Sequence, residues 1–363
     1  MMAGLCLRSE SSRIERRDFL RSVTGACTGW ATAAVVQGAN EQPSDRPTKQ
    51  YRVIDTHLHL FNSRLGGTRG IPKLLSLDAT IEGAVAAMRH GGVDKAFLIT
   101  YNAQDIAEQF IGRDIDPASV RLVYNTQYQK TALIKHPDLF WWFPDHIDPL
   151  RETYLEDLQR NFEEGAAGIK LLPVFHGFLP DHPGFIPVYE MCRKYKKPVI
   201  LDLSYWYLTH MPPRKEAPSR RNVVQRFSDY ATLLAPLFRE FATVPFSLAH
   251  AGTARQVSDY DEIFTLINDH DNVSCDIGAV GGFDEVSAQF VQFLAKGIGA
   301  RKIMYGTDWP YWASGVNSYV EGSRRWTIIA SECPDLSDEE KQWILADNAE
   351  RFVKNQLPRP KKS

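Results

Sequence analysis

The sequence predicts an α/β fold with a single domain, a closed (β/α)8 TIM barrel. From residue 51 onward, short strand-like runs alternate with helical patterns, and this alternation predicts a parallel sheet. Eight such units over roughly 260 residues fit a closed barrel. The rival fold is an open, doubly wound sheet, which would favour a glycine-rich phosphate-binding turn after the first strand. His57-Leu58-His59 stands at that position instead.

Each predicted strand is a short, mostly apolar run, as expected for strands that are covered on both faces. In chain order the strands are 52–55, 95–100, 139–143, 167–172, 198–202, 245–250, 273–277 and 302–307. The helical patterns between them are amphipathic or charged. They span 79–89, 130–135, 151–164, 186–195, 222–240, 260–268 and 285–296. The barrel is therefore expected to occupy residues 51–355.

The overall composition excludes several classes of protein. The 363 residues are 44% apolar and 24% charged, with a formal net charge of −2. These values exclude disordered and collagen-like chains, and near neutrality gives no electrostatic reason to expect a nucleic-acid partner. No uncharged apolar stretch of about 18 residues occurs, so no membrane span is predicted. We expect a small-molecule substrate as the partner. The sequence also allows a homo-oligomer.

Residues 1–39 differ from the rest and predict an export signal. A twin-arginine pattern, Arg16-Arg17-Asp18-Phe19-Leu20-Arg21, precedes the uncharged run 22–36 and two small residues. This order is typical of a bacterial Tat signal, which predicts a periplasmic or other extracytoplasmic location. A disordered basic tail and a lipid anchor at Cys27 are the alternatives. Residues 40–50 are expected to form a linker, and 356–363 a basic C-terminal tail.

Polar side chains recur at the C-terminal ends of the predicted strands, where barrel enzymes place reactive groups. Strand one ends with His57 and His59, and strand alternation puts both on one side. Strand five ends at Asp202, strand six ends at His250 and strand eight leads into Asp308. Each residue alone could be structural. Together the three histidines and Asp308 predict a metal site, because imidazole and carboxylate are good zinc ligands and a catalytic site leaves one position open for water.

Three motifs resemble those of the amidohydrolase-related TIM-barrel hydrolases, a family that also holds non-oxidative decarboxylases and a pyrone-dicarboxylate lactonase. The motifs are Val53-Ile54-Asp55-Thr56-His57-Leu58-His59, Leu248-Ala249-His250-Ala251-Gly252 and Tyr305-Gly306-Thr307-Asp308-Trp309-Pro310. A similar closing segment lies at 336–349. The resemblance implies that His57, His59 and Asp308 bind a divalent metal ion, most often Zn²⁺, and that His250 is the general acid or base. Asp308, beside metal and water, is expected to accept a proton, so His250 and Asp308 are the candidate catalytic residues.

Asp202 departs from the family pattern, because the family usually has a histidine at the end of strand five. A carboxylate can ligate zinc, so Asp202 is the candidate fourth metal ligand. Binding of a substrate hydroxyl, and a site without metal, are the alternatives.

Lys170 lies on strand four, where two-metal relatives carry a carboxylated lysine that bridges the ions. That arrangement also requires a histidine on strand five, so one metal is expected here. Lys170 is then a candidate contact for an acidic substrate, with a structural ion pair as the alternative.

The loops are expected to select the substrate. His176 lies in a loop rich in glycine and proline after strand four, and Tyr205 opens a long loop, 205–221, that is aromatic first and then basic. Trp309 follows the end of strand eight. We therefore assign Lys170, His176, Tyr205 and Trp309 to substrate binding.

The predicted reaction is hydrolysis of an ester, lactone or amide bond by metal-activated water, in a small carboxylated or cyclic substrate. The alternative is non-oxidative decarboxylation, which would use the same residues. A third possibility is a binding protein that has lost both metal and activity.

Overall fold

The computed structural model describes ten segments of the chain. They are residues 50–61, 80–100, 126–145, 148–149, 151–173, 178–203, 227–253, 259–278, 287–309 and 325–356. The proposed export signal and nearly all of the linker lie outside these segments, as does almost all of the C-terminal tail.

Eight parallel strands lie in the described part of the chain, one at each predicted position. They are β1 Ile54–Leu58, β2 Lys95–Thr100, β3 Phe140–Pro144, β4 Ile169–Leu171, β5 Val199–Leu201, β6 Phe246–Leu248, β7 Val273–Asp276 and β8 Ile303–Met304. They form two ladders, β1 to β3 and β4 to β8, and within each ladder neighbouring strands in sequence pair in parallel. The predicted barrel is confirmed by this order.

Backbone contacts join the two ladders into a closed barrel. Leu58 of β1 forms a parallel bridge with Trp309, which follows β8. The amide of Thr56 donates to the carbonyl of Tyr305 at 2.9 Å. On the opposite side, the amide of Ala167 donates to the carbonyl of Trp142 in β3 at 2.7 Å. These bonds connect the first strand to the last and the third strand to the fourth.

Helices follow the strands as the alternation predicts. They are α1 Ile81–Gly91, α2 Thr126–Lys135, α3 Tyr154–Glu163, α4 Ile186–Tyr195, α5 Phe227–Glu240, α6 Asp259–Asn268, α7 Ala288–Ile298, α8 Trp326–Glu332, α9 Asp338–Gln342 and α10 Asn348–Val353. Capping explains where some of them begin. Helix α7 starts at residue 288 rather than 285 because the Ser287 hydroxyl accepts from the amide of Phe290. Within the described residues, no helix is long and apolar enough to cross a membrane.

Aromatic side chains fill the N-terminal end of the barrel. Phe97 of β2 and Phe143 of β3 stack with their ring centroids 4.5 Å apart. Phe352 of α10 stacks on Phe97 at 6.3 Å. Helix α10 therefore closes this end of the barrel. The predicted site residues lie at the opposite end, where the strands finish.

Gly168, just before β4, allows two strands and a ring to come close together. An added Cβ would lie 2.4 Å from the ring of Phe143 and 2.7 Å from the carbonyl oxygen of Pro198. Only glycine fits this approach without displacing its neighbours.

Candidate metal centre

A β-bulge in β1 aims the two histidines into the barrel. Asp55 pairs with Ala96 and Leu58 pairs with Leu98, so β1 holds one residue more than β2 between these positions. A bulge of this kind re-aims the side chains beside it. His57 and His59 both enter the barrel mouth, with ring centroids 5.3 Å apart.

The buried carboxylate of Asp55 connects β1 to the segment that carries Asp308. It accepts from the amide of His57 at 3.0 Å and from both the amide and the hydroxyl of Thr307. Burial raises the pKa of Asp55 to about 7, although the three donors oppose the shift. Asp308 itself has a φ of 55°, in the left-handed region, and these bonds hold the strained turn in place.

Three buried side chains converge on one point. Nε2 of His59 lies 3.1 Å from Oδ1 of Asp308, and Nε2 of His57 lies 3.6 Å from the same oxygen. All three donor atoms lie within 4.8 Å of one another. Two imidazole nitrogens and one carboxylate oxygen are a donor set that zinc and related divalent ions accept.

The protonation states of these groups suit metal binding. Burial, together with the charges of Lys170 and His250, holds the pKa of His57 well below its usual value. Burial also lowers the pKa of His59. Although burial opposes ionisation of Asp308, the hydrogen bond from His59 and the charges of the histidines lower its pKa. Neutral imidazole and ionised carboxylate are the forms that bind a metal, so the residues fit a divalent cation.

Asp202, Lys170 and His250 form a second cluster beside the first. Oδ2 of Asp202 lies 3.5 Å from Nζ of Lys170 and 3.4 Å from Nε2 of His250. Nζ of Lys170 also lies 3.0 Å from Nε2 of His57. Burial disfavours the imidazolium of His250, but the hydrogen bond and charge of Asp202 outweigh it and raise the pKa of His250 to about 9.

His250 occupies a turn that the strand pattern does not reveal. It has a φ of 55°, and the next three residues also have positive φ. Its Nδ1 contacts the carbonyl of Gly278, and its amide donates to Oδ1 of Asp276 at 3.1 Å. These two contacts hold the imidazole at the barrel mouth despite the strained backbone.

Six of the predicted site residues come together at the C-terminal end of the barrel. They are His57, His59, Lys170, Asp202, His250 and Asp308. Lys170 forms an ion pair with Asp202, which was the alternative to a contact with an acidic substrate. His176 and Tyr205 lie outside the described residues. Trp309 is 2% exposed, and its carbonyl accepts from the amide of His59 at 2.8 Å.

Asp276 is a residue of this centre that sequence reasoning missed. It ends β7 and is 1% exposed, and its Oδ1 lies 3.3 Å from Nδ1 of His57. The signal was present in the sequence, because a carboxylate at the end of a predicted barrel strand follows the same rule that singled out Asp202. The segment 273–277 predicts a buried strand, and its carboxylate is not among the predicted site residues.

Most of the chain resembles solved barrels in fold. One is a probable 2-pyrone-4,6-dicarboxylic acid hydrolase from Acinetobacter baumannii with citric acid bound, at 16% identity, covering 84% of this chain and 99% of that chain, with a TM-score of 0.55. Another is 5-carboxyvanillate decarboxylase from Novosphingobium aromaticivorans, complexed with manganese and a nitrobenzoic acid, at 16% identity, 84% and 96% coverage and a TM-score of 0.56. At this identity the likeness concerns the fold alone.

A third similar structure is amidohydrolase 2 from Bifidobacterium longum subsp. infantis, at 15% identity, 84% and 99% coverage and a TM-score of 0.52. No protein of curated function matches the sequence at a significant level. The family pattern described as amidohydrolase matches residues 54–354, which is most of the chain. The chain therefore belongs to the amidohydrolase family.

Proposed function

We propose that the protein is a metal-dependent hydrolase that cleaves an ester, lactone or amide bond in a small carboxylated or cyclic substrate. The observation that carries the proposal is the convergence of His57, His59 and Asp308, with an imidazolium, His250, beside them. A metal-binding triad and an adjacent acid are the two parts that such a hydrolysis needs.

The donor atoms assigned to the metal are Nε2 of His57, Nε2 of His59 and Oδ1 of Asp308. When bound, a divalent ion would polarise the substrate carbonyl and make a water molecule more acidic. We propose Zn²⁺ because of the nitrogen-rich donor set. Mn²⁺ is the second candidate, since manganese is present in the similar 5-carboxyvanillate decarboxylase.

Two residues are positioned to move protons. Asp308 is ionised, because the charges around it lower its pKa, so it can accept a proton from the attacking water. His250 is protonated at neutral pH, because Asp202 raises its pKa to about 9, so it can protonate the leaving oxygen or nitrogen. In this scheme Asp202 acts on His250 and Lys170 rather than as the fourth metal ligand.

The charge around the site favours an anionic substrate. Lys170 and His250 place two cations within 4 Å of the single carboxylate of Asp202. With a divalent ion bound at His57, His59 and Asp308, these two cations would attract an ester or lactone that also carries a carboxylate. His176, Tyr205 and Trp309 stay the proposed contacts for the rest of the substrate.

Non-oxidative decarboxylation is the second candidate function. The observation that favours it is again the protonated His250, because a decarboxylase needs an acid that protonates the carbon from which carbon dioxide leaves. Two decarboxylases, acting on 5-carboxyvanillate and 2,6-dihydroxybenzoate, are among the proteins of similar fold.

A substrate screen separates the two functions. Purified protein loaded with Zn²⁺ or Mn²⁺ is incubated with lactones, esters, amides and aromatic carboxylates, while acid release and carbon dioxide are both followed. Hydrolysis predicts acid release without carbon dioxide. Release of carbon dioxide from an aromatic acid would assign the lyase reaction instead, and turnover equal to that of the Asp308→Ala variant would contradict both.

We also propose that residues 1–39 direct export by the Tat route. Replacement of Arg16 and Arg17 by lysine keeps the charge but removes the twin-arginine pattern, so export to the periplasm should stop. Cell fractionation of the full chain and the double variant tests this. Equal periplasmic amounts of both proteins would contradict the proposed route.

A further inference from the structure

Asp276 touches two residues of the candidate metal centre without belonging to its metal-binding triad. Its Oδ1 accepts from the amides of His250 and Gly278, each at 3.1 Å, and lies 3.3 Å from Nδ1 of His57. Its Oδ2 is buried and has no hydrogen-bond partner among the described residues. One carboxylate oxygen therefore connects the ends of β1, β6 and β7.

The contact with Nδ1 determines which nitrogen of His57 carries the proton. Oδ1 of Asp276 already accepts from two backbone amides, so it faces Nδ1 as an acceptor and Nδ1 must be the donor. Nε2 then keeps its lone pair and faces Oδ1 of Asp308 at 3.6 Å. A second contact requires the same tautomer, because the ammonium of Lys170 lies 3.0 Å from Nε2 and can only donate to it.

We propose that Asp276 is a positioning residue for the metal centre. It holds His57 as the Nδ1–H tautomer, with Nε2 directed to the ion, and it fixes the backbone of His250 at the same time. Carboxylates that accept from the far nitrogen of a metal-binding histidine orient the ring and strengthen metal binding. The inference rests on the proposed metal site but not on the type of reaction.

A direct ligand role is the competing interpretation of Asp276. Donor atoms of His57, His250 and Asp276 also lie within 4.8 Å of one another, so they could hold a second ion. Three observations favour positioning instead. Oδ1 already accepts two backbone amides, Nδ1 of His57 is needed as a donor, and Nδ1 of His250 contacts the carbonyl of Gly278.

Metal titration of Asp276→Asn tests the proposal. The amide oxygen of asparagine still accepts from the two backbone amides, but it is a weaker acceptor for the Nδ1 proton than a carboxylate. We expect wild type to bind one equivalent of Zn²⁺ and Asp276→Asn to bind one equivalent about 10–100-fold more weakly. A wild type with two equivalents and a variant with one would overturn the proposal, as would unchanged affinity.

Asp94→Asn is the matched control. Asp94 accepts from the amide of Val53 at 2.8 Å, at the opposite end of the same barrel, so its replacement should leave the affinity for Zn²⁺ unchanged. Thermal unfolding of both variants shows whether each is folded under the conditions of the metal titration.

The tautomer itself is observable in the metal-free wild type, even if the variant does not fold. Nitrogen–proton correlation spectra of histidine-labelled protein, assigned with His57→Gln, should show His57 protonated at Nδ1 alone. Protonation at Nε2 would overturn the proposal. This measurement also separates the inference from the proposed function, because a protein that hydrolyses nothing would still show the tautomer.

Discussion

Nε2 of His59 and Oδ1 of Asp308 lie 3.1 Å apart although 249 positions separate the two residues in the sequence. Closure of the barrel makes this possible, because the amide of His59 donates to the carbonyl of Trp309, next to Asp308. The carboxylate of Asp55 strengthens the same junction through Thr307. The seam between the first and the last strand is therefore also the place where the candidate metal ligands meet.

Replacement of a proposed metal ligand in the first strand or after the last strand should strongly weaken metal binding. Asp308→Asn keeps the shape of the side chain but replaces the anionic donor, and His57→Ala removes an imidazole. We expect the affinity for Zn²⁺ to fall by more than about 100-fold in both, beyond the range for groups that only orient a ligand. Activity on any substrate found in the screen should be abolished. His136→Ala, outside the site, is the control for metal titration, and equal binding by Asp308→Asn would exclude Asp308 as a ligand.

Removal of the Lys170 charge should strengthen metal binding. Nζ of Lys170 lies 3.0 Å from Nε2 of His57, so a metal ion must compete with an ammonium for that nitrogen. In Lys170→Met this competition and the repulsion between two cations disappear. We expect the dissociation constant for Zn²⁺ to fall about tenfold, or ~1.4 kcal/mol. A weaker affinity would show instead that Lys170 contributes a ligand, as a carboxylated lysine would.

Local sequence rules were sufficient for the fold and for most of the site. Eight apolar runs predicted eight strands, and strand-end polarity predicted that His57, His59, His250 and Asp308 meet. Both rules work because parallel strands of a barrel finish at the same end. Long-range contacts were not predictable in the same way. The bulge between Asp55 and Leu58, for example, depends on how β1 pairs with β2.

The predicted strand eight illustrates a second limit. The pattern predicted 302–307, but only Ile303–Met304 pairs as a strand. Beyond it the backbone turns to reach β1, and Asp308 adopts a φ of 55°. A non-glycine residue in this region is strained, and local propensity gives no sign of it. Asp276 differs from these cases, because the strand-end rule applies to it and only its contact with His57 required the structure.

The pH at which His250 loses its proton should depend on Asp202. Asp202 raises the pKa of His250 to about 9 against the opposing effect of burial, so the acid form persists below that pH and is lost above it. The stabilising contribution of this pair is complete below the unfolded pKa of roughly 6.5 and is lost as the pH rises through the folded value.

Asp202→Asn should therefore move the alkaline limb of the activity profile to lower pH. It should also lower the pKa of His250 in the metal-free protein, which a histidine NMR titration measures. An unchanged pKa in Asp202→Asn would show that another group charges His250. Asp94→Asn should leave the titration as it is in the wild type.

Substitutions at two glycines should have different effects. Gly278→Ala should weaken metal binding, whereas Gly168→Ala should lower the free energy of unfolding. A Cβ at Gly278 would lie 3.1 Å from Cβ of His57 and 3.3 Å from the amide of Asp308. Gly278→Ala should therefore displace the metal-binding groups and weaken Zn²⁺ binding by about tenfold, because such sites tolerate displacements of only about 0.5 Å. Calorimetric titration measures this, and unchanged affinity would contradict the close packing assigned to Gly278.

Gly168→Ala is the counterpart in the barrel wall. Its Cβ would lie 2.4 Å from the ring of Phe143, so overpacking should reduce the free energy of unfolding by about 1–3 kcal/mol. The folded fraction should still bind Zn²⁺ with wild-type affinity. Urea unfolding and metal titration together check both statements. A loss of affinity without a loss of stability would show that Gly168 affects the metal site rather than the packing of the barrel wall.

The metal content of the purified protein tests the central claim most directly. The full chain is expressed separately with zinc, manganese and iron, and metal is measured by mass spectrometry beside Asp308→Asn prepared in the same way. Binding by His57, His59 and Asp308 predicts about one equivalent of a single divalent metal in the wild type and little in the variant. Less than about a tenth of an equivalent in every wild-type preparation would contradict the claim.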